Sequence, residues 1–102
     1  MTDKLFLSDY QELIQKLVIE RGFEKETVPE VFTLLVEEVG ELAKAIRKAN
    51  GQKVDAKSRH HDVEEELADV FWLLIDLSNR LHVNLADAFT QKEAKNQTRE
   101  WK

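Results

Sequence analysis

Two long stretches, residues 28–48 and 63–81, repeat their apolar residues with the period of a helix. In the first, Phe32, Leu35, Val36, Val39, Leu42, Ala43 and Ile46 form a wide row. In the second, Val63, Leu67, Val70, Phe71, Leu74, Leu77 and Leu81 do the same, broadened by Leu73 and Ile75. A helix apolar on so many sides is buried against more than one neighbour, which in a chain of 102 residues points to self-association. One Pro and three Gly leave few turns for a β fold. The expected class is all-α, a bundle of four to five helices in one domain over residues 1–102, its core about 8–99.

Capping signals place the remaining boundaries. Ser8 or Asp9, the latter with Glu12 three residues on, opens a first helix carrying Leu13, Ile14, Leu17 and Val18, and Gly22 stops it. Thr27 with Glu30, and Pro29 between them, opens the second, which runs to about Lys48 before Asn50-Gly51. Residues 50–60 read as a polar loop whose Lys53, Lys57 and Arg59 stand ready for an anion or simply for solvent. The third helix begins between Ser58 and Asp62 and runs to about Leu81. Asn84 caps the last, with Asp87 in its first turn. Gly40, inside the second helix, is read as a close approach of another backbone, a ligand or an ordinary packing contact. Tyr10, Gln11 and Gln15 are polar groups within reach of a ligand, or merely exposed.

The chemistry sits where acids interrupt the apolar rows. Glu38 and Glu41 are three residues apart, as are Glu66 and Asp69, and residues so spaced on a helix are neighbours on one side. Leu34 lies four before Glu38, Ala45 four after Glu41 and Leu73 four after Asp69, so the acids interrupt or continue apolar rows. If the two helices pack face to face, four carboxylates converge and require a cation. A solvated acidic face is the competing reading. With no Cys, such a site is oxygen-only and suits Mg²⁺, with Mn²⁺ as a substitute, rather than Zn²⁺. The matching reaction is attack of water on a phosphoryl group. A di-iron site wants Glu-x-x-His, and none of His60, His61 or His82 stands three after a Glu.

Other features narrow the setting. The net charge of −5 argues against nucleic-acid binding. No segment has the length and apolarity of a membrane span, and no signal sequence opens the chain, so the cytoplasm is the expected location. Trp72, three beyond Asp69, is a candidate for stacking on a base, or a core or interface residue. Lys92, Asn96 and Arg99 share one helix face and could hold phosphate oxygens and a sugar or base edge; a basic helix end favoured by the dipole is the alternative.

These motifs resemble the MazG-like members of the all-α nucleoside triphosphate pyrophosphohydrolase superfamily, marked by Glu-Glu-x-x-Glu followed, some tens of residues on, by Glu-x-x-Asp. Here the motifs are Glu37-Glu38-Val39-Gly40-Glu41 and Glu66-Leu67-Ala68-Asp69, and Lys92, Asn96 and Arg99 resemble the family's Lys-x-x-x-Asn-x-x-Arg ending. The likeness covers about residues 28–99. It implies Mg-dependent hydrolysis of nucleoside triphosphates, often deoxy or non-standard, to monophosphate and pyrophosphate by a compact house-cleaning enzyme. It further implies that Glu38, Glu41, Glu66 and Asp69 hold the metal and that Glu37 supports or orients the attacking water. Lys92, Asn96 and Arg99 would bind phosphates or the nucleoside, and the sites of a dimer or tetramer would lie where subunits meet. Phosphoribosyl-ATP pyrophosphohydrolases are related, but their second motif typically continues to Tyr-His where this chain has Trp72-Leu73. A non-catalytic helical dimerisation module is the rival from another class.

Overall fold

Four α-helices follow one another along the chain: α1 (Leu7–Glu20), α2 (Val28–Ala49), α3 (Ala56–Arg80) and α4 (Leu85–Gln97). The computed structural model describes residues 5–51 and 56–99, with side chains in the second stretch from residue 62 onward, and among these no strand occurs. The all-α expectation holds. Lys53 lies outside the described residues, as do the side chains of Lys57 and Arg59, and with them the anion-binding reading of that segment. Residues 56–60, expected as loop, are the first turns of α3.

The caps explain most boundaries. Thr27 Oγ1 accepts the Glu30 N–H at 3.3 Å while Glu30 Oε1 accepts the Thr27 N–H at 2.8 Å, with Pro29 in the first turn. The Thr27 N–H and then the Thr27 hydroxyl, which donates to Glu30 Oε1 at 3.1 Å, lower the pKa of the Glu30 carboxyl. Asn84 Oδ1 accepts the Asp87 N–H at 2.9 Å, as expected. The start of α1 differs: the helix begins earlier, and Asp9 reaches back to accept the Phe6 N–H at 2.8 Å rather than opening the helix itself. Gly22 ends that region with φ of 77°, a left-handed conformation that suits glycine.

Packing corrects the sequence reading more sharply. Helix α2 lies mainly against α3, and α1 packs on α3 and more lightly on α4. The inward row of α2 is Val31, Leu35, Glu38, Leu42 and Ala45, spaced alternately four and three. The neighbouring row, Phe32, Val36, Val39, Ala43 and Ile46, points away from the chain, and Phe32 and Val36 are more than half exposed. On α3, Leu67, Phe71 and Leu74 are likewise exposed, as is Leu81 just beyond its end, so the row expected as core is open on this chain. A hydrophobic period identifies an apolar stripe but not its cover, and a single α2–α3 hairpin covers only one side of each helix.

Helices α1 and α3 share a small core of Ile14, Val18 and Ile75, against which Leu7, Trp72 and Leu85 pack. Gln11, which might have been an exposed polar residue, is the hub of this end. Its Nε2 donates to Asn79 Oδ1 at 2.8 Å and to the Val83 carbonyl at 3.0 Å, and its Oε1 accepts the Leu85 N–H at 3.0 Å. Asn79 Nδ2 returns a bond to the Gln11 carbonyl at 2.9 Å. Tyr10 turns its ring onto Phe71, edge to face at 5.3 Å.

Arg80, at the end of α3, ties in the α1–α2 connection. Its Nε donates to the buried Asp76 Oδ1 at 2.8 Å, and its remaining nitrogens donate to the carbonyls of Phe23, at 2.7 Å, and Glu26. A guanidinium presents its donors in a fixed fork, so it can pair a carboxylate and hold a loop together. The loop that carries Phe23 is thereby set beside the α2–α3 seam.

Candidate metal centre between the second and third helices

The inward row of α2 places Glu38 in the seam with α3. The helix period of α3 sets Glu66 and Asp69 opposite it, and one oxygen from each of the three lies within 4.8 Å of the others. Glu38 and Glu66 are half-buried and Asp69 is exposed. Glu66 Oε1 is buried with no hydrogen-bond partner among the described residues. Buried carboxylate oxygens are normally satisfied, so an orphan within an acid cluster fits a cation as its missing partner.

Electrostatics point the same way. The hydrogen bond shared with Glu66, then burial, then the negative charges of Asp69, Glu66 and Glu41 push the Glu38 carboxyl up from 4.5 to about 7. Without a cation, the cluster thus gives up a proton only around neutrality, where isolated glutamates are already ionised. An oxygen-only donor set on two helices, holding a proton in place of a cation, is chemically suited to a hard divalent ion.

Not every expected ligand converges on the same point. Glu41, one turn along α2, lies outside the three-acid group and bears on Glu38 through its charge. It shares a recess of about 150 Å³ with Glu66, Lys44, Lys48 and Asp62. On the other side, Glu38 and Asp69 line a recess of about 260 Å³ with Arg21, Phe23, Trp72 and Leu73. Trp72 packs against the α1–α3 core on one side, the core reading, and lines the acids' recess on the other. Glu37 lies on the exposed side of α2.

Lys92, Asn96 and Arg99 stand on or just after α4, and none of them lines either recess. Asn96 is half-buried, bonded to Glu93 at 3.4 Å, and its Oδ1 has no partner. Gly40 has open space where a Cβ would stand, so neither a close backbone nor a packing contact meets it among the described residues. Sequence reasoning did not single out Asp62, Lys44, Arg21 or Phe23 as neighbours of the acids. Asp62 lies four before Glu66 and Lys44 three after Glu41, spacings that carried the signal. Arg21 and Phe23 come from the α1–α2 turn, and no local pattern announces them.

Comparison with known proteins places these residues in a family. The model of the MazG nucleotide pyrophosphohydrolase domain matches residues 26–102. An uncharacterized protein of Bacillus subtilis (strain 168), YpjD, is 36% identical over 67 residues, covering 65% of this chain and 60% of that protein. The aligned stretch thus falls short of two thirds of that relative's length.

Proposed function

The chain belongs to the MazG nucleotide pyrophosphohydrolase domain family, and we propose that it hydrolyses nucleoside triphosphates, deoxy or non-canonical ones in particular, to monophosphate and pyrophosphate with Mg²⁺. The observation that carries this reading is the convergence of Glu38, Glu66 and Asp69 across the α2–α3 seam, with a buried Glu66 oxygen left unpaired. Glu38, Glu41, Glu66 and Asp69 are the metal-holding set, and Mn²⁺ is an acceptable substitute. Bound there, the ion supplies charge neutralisation at the phosphates and a more acidic attacking water.

The remaining steps belong to the chain's own groups. Glu37, beside Glu38, supports and orients the water. Water's oxygen bonds to the attacked phosphorus, and the α–β bridging P–O bond breaks with its electron pair on the departing phosphate oxygen. The surplus proton passes to solvent. Trp72 offers a ring face to the base, and Lys92, Asn96 and Arg99 contribute donors to phosphates or nucleoside where subunits meet.

Self-assembly is part of the proposal. The chain exposes 8131 Å², against about 5,900 Å² for a folded monomer of its mass. Its radius of gyration is 16.5 Å, against about 13 Å for a globule of this length. A dimer or tetramer built on the exposed rows of α2 and α3 accounts for both, since stable homomeric interfaces bury about 2,000 Å² or more. We further propose that residues 1–102 act as one helical domain, core about 8–99, working in the cytoplasm without nucleic acid or membrane. Among the described residues no helix is long and apolar enough to cross a membrane.

The test is pyrophosphate release from a panel of canonical and modified nucleoside triphosphates, with phosphoribosyl-ATP included, in Mg²⁺ and then in EDTA. Metal-dependent release from a nucleoside triphosphate is expected. Release from phosphoribosyl-ATP alone would move the substrate. No release from any, with intact helical circular dichroism, would leave a non-catalytic assembly module.

A further inference from the structure

The acids stand between two recesses of different chemistry. Glu38 and Asp69 line the larger, about 260 Å³, with Phe23, Trp72, Leu73 and Arg21. Glu41 and Glu66 line the smaller, about 150 Å³, with Lys44 and Lys48. We propose that these recesses fix the direction of the bound nucleotide: Lys44 and Lys48 receive the pyrophosphate end, while Phe23, Trp72 and Arg21 receive the nucleoside end. This rests on the proposed hydrolysis, because only that reading places the scissile bond at the acids between the recesses.

The assignment follows from what each wall offers. Lys44 and Lys48 are four apart on α2, hence adjacent, and among the described residues neither forms an ion pair or side-chain hydrogen bond despite Glu41, Asp62 and Glu66 around them. Two compact, freely rotating ammonium groups suit a small polyanion, which requires charge rather than shape. Among the described residues no aromatic ring lines their recess. The other recess has two aromatic rings and Leu73, which suit a flat base, and one guanidinium without a partner, whose planar fork matches the hydrogen-bonding edge of a base. The reverse orientation would set a pyrophosphate against aromatic rings and a base among lysines. The sizes agree, since the nucleoside is the bulkier end.

The step itself is unchanged. Water adds to one phosphorus, the α–β bridging P–O bond breaks, and pyrophosphate leaves towards the lysines while the monophosphate stays over the rings. The two products then depart from different recesses, so each should be a probe of one of them.

The experiment is calorimetric titration of the Mg²⁺-loaded protein with inorganic pyrophosphate and, separately, with the monophosphate of the best substrate. Lys44→Gln with Lys48→Gln should weaken pyrophosphate at least about tenfold and leave the monophosphate nearly unchanged. Arg21→Gln should show the opposite selectivity, and as an exposed residue without partners it leaves the fold intact. Circular dichroism checks that all variants remain helical. The reversed pattern, equal weakening of both products by either variant, no weakening by either, or no binding to the wild type would each overturn the orientation. A wild type that releases pyrophosphate but lacks this split sinks the orientation alone; one that releases none sinks the hydrolase reading beneath it.

Discussion

Two junctions on α3 handle charge in opposite ways. At its C-terminal end, Asp76 is paired with Arg80 at 2.8 Å, and Arg80's other donors are taken up by the Phe23 and Glu26 carbonyls, so the burial of charge is settled within the chain. Two turns earlier, Glu66 and Asp69 meet Glu38 with no cation among the three, and the orphan oxygen of Glu66 is not satisfied. The first junction is complete as it folds. The second brings like charges together and leaves one buried oxygen without a partner among the described residues, and that contrast marks it as the candidate site.

The comparison breaks most visibly on the carboxylate side. Glu38→Gln or Asp69→Asn should lower pyrophosphate release about a thousandfold, the size expected when several kcal/mol of metal assistance is lost. The metal-free variants should melt no lower than the wild type, because repulsion is relieved. Wild-type turnover by either would remove the acids from the site. Arg80→Ala should do the reverse, costing about 3–5 kcal/mol in urea unfolding because Asp76 is left buried and unpaired. An unchanged midpoint would mean that this pair does not organise the loop.

Acidity sharpens the contrast further. Glu38 has its carboxyl raised to about 7 in the fold from 4.5, so the native state binds the extra proton. The stability this contributes is present below about 4.5 and is lost as pH rises through about 7. Melting of the EDTA-treated protein should therefore decline across that window, and saturating Mg²⁺ should flatten the decline. A curve identical with and without metal would separate Glu38 from the ion. The smallest effect is at Gly40, where a Cβ meets open space: Gly40→Ala should raise stability by about 0.5–1 kcal/mol. A loss instead would mean that a second chain packs against that turn.

Much of this was legible in the sequence. Thr27 with Glu30, Pro29, Asn84 and Gly22 act through bonds and torsions local to a few residues, so α2, α4 and the end of α1 were readable. Glu66 and Asp69 were readable because a three-residue spacing on a helix is a spatial statement, whereas Glu38 joins them only through the packing of α2 on α3 and its own spaced partner, Glu41, stays outside the group. Asp76 and Arg80 have the same kind of spacing but look like any exposed i, i+4 pair; what makes them central is the Phe23 and Glu26 carbonyls, supplied by a loop more than fifty residues away. Gln11 was obscure for that reason too. Phe32, Val36, Leu67 and Phe71 are exposed in the single chain, which their spacing could not show, because periodicity reports that a stripe is apolar, not whether the same chain covers it.

That uncovered stripe makes quantity matter. If copies of this chain close those rows, as proposed above, stability follows mass action and the melting point should climb with protein concentration. Dilution would loosen the hairpin that aligns Glu38 with Glu66 and Asp69. The amount of protein made would then act as a dial on how much of it works.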